Sequence, residues 1–387
     1  MKTKIYLSVI LSVALVSVTR AQVSPEIELG AKGVMSGNIV VDNANTASAV
    51  SDFSDSQILL GFKQKLYSAW RGQMVFGFQF PDADSDLGQV FFNHVFLTVE
   101  NHKNIFKLGR STTKTIINEF PTLRDDDAIS FNYSLNPFSI GSNTQDNQYG
   151  NVIEYTHIFR QRYWFTFHGE NLANLSSPTD FSLNAFGASF LYIVPGSQRW
   201  NRNVLQRIGM SYNNYLTDRP GYSGYEEALK NILGTVTINV FPDPVHFVDF
   251  RIQGIYNIGF SEIDSINSYR NYVKTPYFST FGTVRYLYRK LERPFIQVSA
   301  GMGYKSFSSV AGSNQFIGIT NIFYRLGEHF DLGFQYRYLH NYGETGSLFG
   351  QKQHRFQLAL VYSIDQIFNN QFDDRNSILN LEHGYIK

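Results

Sequence analysis

Asp125, Asp126 and Asp127 form the one run of three consecutive carboxylates in the chain, with Arg124 directly before it and Glu119 a short way upstream. Clustered carboxylates can hold a hard divalent cation through oxygen donors, or they can simply present negative charge to water. A second charged set is basic and dispersed: Lys63, Lys65, Arg207, Arg251, Arg285, Lys305, Arg337 and Arg355. Each of these lies in a segment where polar and apolar residues alternate. Catalytic arrangements are harder to find. Gly221-Tyr222-Ser223-Gly224 approaches a nucleophile elbow, but Tyr225 stands where the final glycine belongs. His94, His157, His168, His246 and His354 do not recur at metal-ligand spacing. With Cys 0, thiol chemistry, disulfides and cysteine zinc sites are excluded. The expectation is a protein that is not an enzyme and uses no cofactor or metal.

The alternating segments must position these charges. Met74, Phe76, Phe78 and Phe80 share one face, with Gln73, Gly77 and Gln79 on the other. A period of two sets alternate side chains against opposite surroundings, as on a β-strand. About sixteen such segments follow one another, near 26–36, 56–66, 71–80, 90–99, 104–113, 150–159, 162–170, 182–194, 204–215, 231–241, 246–258, 276–288, 294–305, 315–326, 329–340 and 353–364. Tight connections such as Asn101–Lys103 and Arg160–Arg162 alternate with long polar ones such as Gly37–Asp55, Asn171–Asp180 and Gly259–Thr275. Membrane β-barrels keep that rhythm, with short turns at one rim and long loops at the other. A soluble β-sandwich is the competing reading, but it has no reason to alternate so regularly.

Composition agrees with a barrel. Mean hydropathy is −0.21, and no later segment supplies the ~20 apolar residues of a spanning helix. Phe 34 and Tyr 24 suit a lipid face and interfacial aromatic belts. A formal net charge of +1 gives no reason to expect nucleic acid as a partner. Met1–Lys4, the apolar Ile5–Val18 and Thr19-Arg20-Ala21 describe a signal peptide over 1–21. The expected organisation is then an all-β, antiparallel transmembrane barrel over 22–364 and a periplasmic tail over 365–387.

The apolar face of each strand is assigned to lipid. Arg or Lys there costs ~2–4 kcal/mol at the bilayer midplane, so the eight dispersed basic residues are expected to face inward. Glu154, Glu170, Asp249 and Asp331 are the acidic inward candidates. Lys107 fits the same pattern, but Arg110 would then face lipid unless the strand bulges at Gly109 or the residue lies near the headgroups.

The segment Lys114–Tyr149 is the longest connection, and it carries Phe131, Tyr133, Leu135, Phe138 and Ile140 as well as the acidic run. A short strand over 128–135 is an alternative within it. This long connection follows strand five, which bears Phe106-Lys107-Leu108-Gly109-Arg110. In that layout the chain resembles the general porins of Gram-negative bacteria, with Asn118-Glu119-Phe120-Pro121 loosely echoing their loop motif. The resemblance implies sixteen strands and a third loop folded into the lumen. It assigns Glu119, Arg124 and Asp125–Asp127 to a constriction loop that faces a basic wall. It further implies a homotrimer in the outer membrane, surrounded by lipid and lipopolysaccharide, passing small hydrophilic solutes and ions by passive diffusion. Competing functions are a substrate-specific channel, an outer-membrane enzyme and an assembly component.

Overall fold

A computed structural model describes residues 25–41, 47–52, 56–67, 69–79, 91–111, 150–171, 185–193, 205–215, 229–243, 245–258, 260–264, 271–274, 277–290, 293–307, 314–342 and 352–369. Every regular element among them is a β-strand. In chain order these are β1 (Glu26–Val41), β2 (Ala47–Asp52), β3 (Gln57–Lys65), β4 (Arg71–Gln79), β5 (Phe91–Glu100), β6 (Asn104–Ser111), β7 (Gly150–Phe159), β8 (Tyr163–Asn171), β9 (Ala185–Ile193) and β10 (Leu205–Tyr215). They continue as β11 (Leu229–Pro242), β12 (His246–Ile258), β13 (Phe260–Asp264), β14 (Asn271–Lys274), β15 (Tyr277–Lys290), β16 (Arg293–Phe307), β17 (Asn314–Arg325), β18 (Phe330–Tyr342) and β19 (Lys352–Phe368).

Successive strands pair antiparallel around a ring, and β1 closes it against β19 from Ile27↔Phe368 to Val41↔His354. On its other side β1 pairs first with β3, up to Lys32↔Gln57, and then with β2, from Ser36↔Asp52. The ring contains 17 strands, of which β2 and β3 share one position, so the closed barrel is sixteen-stranded. Closure leaves no open edge, which is what lets strands cross lipid with their backbone groups satisfied.

The strands read from the sequence recur with small shifts of boundary and three differences. β1 runs on to Val41 and β2 occupies Ala47–Asp52, where the polar composition suggests a loop over Gly37–Asp55. These extensions pair with one another from Ser36↔Asp52 to Val41↔Ala47, so backbone bonding sustains them where the alternating pattern is weak. β13 and β14 form a small ribbon within the Gly259–Thr275 connection, which is long enough to fold back on itself. β19 reaches Phe368, past the end expected at 364, because pairing with Ile27 carries it onward. The signal peptide, the Lys114–Tyr149 connection with its alternative strand at 128–135, and positions 370–387 lie outside the described residues.

Short-turn chemistry is local. Arg160 and Gln161 have φ of 50° and 57°, and Arg162 N–H donates to the Phe159 carbonyl at 3.1 Å. Two successive left-handed residues match the twist of the flanking strands. At Asn101 the side-chain oxygen accepts from the N–H groups of Lys103 and Asn104, both at 2.8 Å. Asp243 does the same for His246 and Val245, at 2.9 Å each. These backbone donors, His246 first, hold the Asp243 carboxyl below the usual carboxylate range. A depressed pKa contributes stability above the unfolded value, and that contribution disappears as pH falls through the folded one. Asp243→Ala is therefore expected to lower the temperature of heat-modifiable migration in gels at neutral pH. The gap from the parent should narrow as the pH is taken below the ordinary value of 3.8.

Candidate functional site

The two faces of the wall differ as alternation requires. Met210, Met302 and Leu358 are more than half exposed on the outside. Gln73, Thr98, Thr156, Thr235, Gln253, Asn321 and Gln335 are buried on the inside. Inward charge is gathered into ion pairs. Lys63 Nζ lies 2.9 Å from Glu28 and 3.7 Å from Glu26, all three buried, where β1 meets β3. Asp249 bridges two guanidinium groups, Arg251 at 3.2 Å and Arg285 through Nε at 3.2 Å with a second, shorter contact. Arg325 meets Asp331 at 3.1 Å, and Arg71 meets Glu100. Lys107 stands opposite Glu154 in the β6–β7 ladder, both buried, with its ammonium 4.9 Å from the Phe96 ring centre.

The basic residues singled out in the sequence separate accordingly. Lys63, Arg207 and Arg251 are buried, while Arg285, Arg337 and Arg355 are half-buried. Lys65 is exposed at the last residue of β3, beside the short turn. Lys305 takes the β16 position opposite Ser279 and Gln315. Among the acidic candidates, Glu154 and Asp249 are buried, Asp331 is half-buried and Glu170 pairs with Val152 and Ala185 in the ladder. Glu119, Arg124, Asp125, Asp126 and Asp127 lie outside the described residues.

Glu26, Glu28 and Glu100 join the charged lining although the sequence reading passes over them. A signal for the first two is present, since Ile27 and Leu29 on the lipid face put Glu26 and Glu28 inward. Nor is the inward face uniformly polar. Leu59, Val75 and Phe96 form one buried apolar group on the inner wall. Phe281, Ile317 and Ile319 form another, with Leu339 against it. Gly301 and Gly303 make room for this second group. A Cβ on Gly303 would come 2.5 Å from the Phe281 ring, and one on Gly301 2.8 Å from the Thr283 methyl.

The strand twists at Gly109. Its φ is 132°, and a Cβ there would lie 2.3 Å from the Val95 carbonyl oxygen. The ladder keeps its register through this residue, so the irregularity is a local twist and not an inserted residue. Arg110 is half-buried with its Nε shielded, unlike the exposed Leu108.

No family model and no curated protein matches this sequence. Solved structures match its fold. The outer-membrane channel DcaP of Acinetobacter baumannii aligns with a TM-score of 0.61 at 13% identity, over 89% of this chain and 99% of that one. An anion-selective porin from Comamonas acidovorans gives 0.60 at 12%, over 87% and 99%. OmpF of Salmonella typhi, solved with daunomycin, gives 0.57 at 12%, over 87% and 97%. The chain therefore has the closed sixteen-strand fold of the general porins. A barrel of this kind, apolar outside and polar within, resides in the bacterial outer membrane.

Proposed function

We propose that this protein is a water-filled channel through which small hydrophilic solutes and ions diffuse passively, with no catalytic role. The observation that carries the reading is the inner wall: Lys63 with Glu26 and Glu28, and Asp249 with Arg251 and Arg285, are ion pairs on its inward face. Gln73, Gln253, Asn321 and Gln335 share that inward face with the paired charges, and a polar inner face is what a water-filled barrel carries. The fold shared with channel proteins supports the same reading. Lys65, Arg207, Lys305, Arg337 and Arg355 complete the basic wall in this proposal. Glu119 and Asp125–Asp127 face it from the Lys114–Tyr149 loop, with Arg124 among them. A transverse field of that kind orders water and favours polar solutes.

One neighbour in fold, OmpT of Vibrio cholerae, was solved in a trimer form, with a TM-score of 0.55 at 11% identity. That supports a homotrimer here, embedded among lipid and lipopolysaccharide. The deciding experiment is conductance of the purified, folded protein in planar bilayers. Stable open steps in potassium chloride are expected; a folded barrel that inserts and stays silent overturns the channel.

A further inference from the structure

Three cations crown one stretch of the short-turn rim, which in a membrane barrel is the periplasmic one. Lys103 lies in the β5–β6 turn, and Arg160 and Arg162 lie in the β7–β8 turn; all three are exposed. The two turns are joined, because the Ile158 N–H donates to the Lys103 carbonyl at 2.6 Å. No carboxylate occurs in 101–104 or in 158–163. Glu100, just before the first turn, already meets Arg71. Among the described residues none of the three cations has an ion-pair partner.

Beside these charges the outer wall is aromatic. Phe106 stacks on Tyr155 with ring centres 4.7 Å apart, and Trp70 joins Phe106 at 6.2 Å. Phe159 is 48% exposed on the lipid face, with the Tyr163 ring 6.2 Å away. The Arg160 guanidinium lies 5.0 Å from the Phe159 ring centre. Barrel aromatics gather at the height of lipid headgroups, so the cations stand where lipid phosphates lie. A soluble acidic partner could reach the turns but would have no use for rings that face lipid. Arg160 also occupies a costly backbone position. Its φ is 50° and that of Gln161 is 57°, where a two-residue turn favours Asn, Asp or Gly. A cation kept where a smaller residue would relax the backbone points to something that the guanidinium binds.

We propose that Lys103, Arg160 and Arg162 bind the phosphate of an anionic phospholipid in the periplasmic leaflet, with Phe159 and Tyr163 against its glycerol and upper acyl chain. Guanidinium forks match phosphate oxygens through paired N–H···O bonds. Each cation near an anionic membrane surface strengthens binding by about fivefold, so three together select a negative headgroup over a zwitterionic one. The site lies outside the pore, so it rests on the outer-membrane location and not on the channel reading.

The test counts the lipids retained by the full-length folded protein in native mass spectra, with dioleoylphosphatidylglycerol or dioleoylphosphatidylcholine added at equal concentration. Retention of phosphatidylglycerol over phosphatidylcholine by at least about fivefold is expected. The Lys103→Gln/Arg160→Asn/Arg162→Gln variant is expected to lose most of that preference, and Asn at position 160 suits the left-handed turn. Equal retention of the two lipids overturns the site, as does an undiminished preference in a triple variant that still shows heat-modifiable migration. Should the triple variant not fold, Arg162→Gln alone is expected to lower the preference several-fold; an unchanged preference overturns the site. Lys290→Gln removes an exposed cation from the end of β15 and is expected to leave the preference intact. A loss there as large as in the triple variant would mean diffuse rim charge and overturns a localised site. Inorganic phosphate at the lipid concentration is expected to leave the lipid bound; full displacement would mean a site for free anions and overturns the lipid assignment. Planar-bilayer recording separates this proposal from the channel itself. A protein that conducts but shows no lipid preference loses only the lipid site. One that retains phosphatidylglycerol and passes no current keeps the lipid site and loses the channel.

Discussion

Gly109→Ala should destabilise the barrel by roughly 3 kcal/mol or more, the largest effect expected of any single methyl added to the wall. At φ 132° the residue occupies a region essentially reserved for glycine, and the new Cβ would lie 2.3 Å from the Val95 oxygen and 2.7 Å from Phe96 Cα. Both neighbours are backbone of β5, so no rotamer change relieves the contact. Relief requires β5 to move or Gly109 to return to ordinary strand geometry. Gly234→Ala is the matched control, because a Cβ there meets nothing within 4 Å. Urea midpoints of the refolded proteins in detergent measure both. The prediction fails if the two variants unfold alike.

Lys63→Met is expected to cost roughly 3 kcal/mol, by leaving Glu26 and Glu28 buried together without their shared cation. Removing one member of a buried ionic group exposes the desolvation cost of the rest. The two carboxylates also share the inward face of the first strand, so they repel once the ammonium is gone. Adding Glu26→Gln and Glu28→Gln to Lys63→Met should recover most of the loss, since neutral amides carry no charge to compensate. A double-mutant cycle between positions 63 and 28 reads the coupling directly. A coupling near zero would mean that water in the lumen already screens all three charges. Because these residues join β1 to β3 next to the closure against β19, the loss should also speed unfolding.

Much of the architecture is readable in the chain because a barrel strand writes its environment into every second residue. Leu29, Met35, Phe106, Met210 and Leu358 announce the lipid face, and short turns such as Arg160–Arg162 announce one rim. Alternation does not reveal where β2 pairs, since Ala47–Asp52 extends the sheet by backbone pairing with β1. Nor does it reveal Leu59, Val75, Ile317 and Ile319 as inward. Their apolar side chains are buried by neighbours on the inner wall, which a two-residue period does not record.

The charged lining divides in the same way. Residue order alone says which strands carry Lys63, Arg251, Arg285, Arg337 and Arg355, and that these residues point away from lipid, because a charge on that face is too costly. Which of them meets a carboxylate follows only from the pairing of distant strands. Lys63 and Glu28 are far apart in the chain and become neighbours through the β1–β3 register. Arg285 reaches Asp249 through the β12–β15 register, across the inserted β13–β14 ribbon. The register of β18 on β19 likewise sets Arg337 against Arg355. Side-chain parity is a local property of the backbone, whereas the partner across the ladder depends on how the whole ring closes.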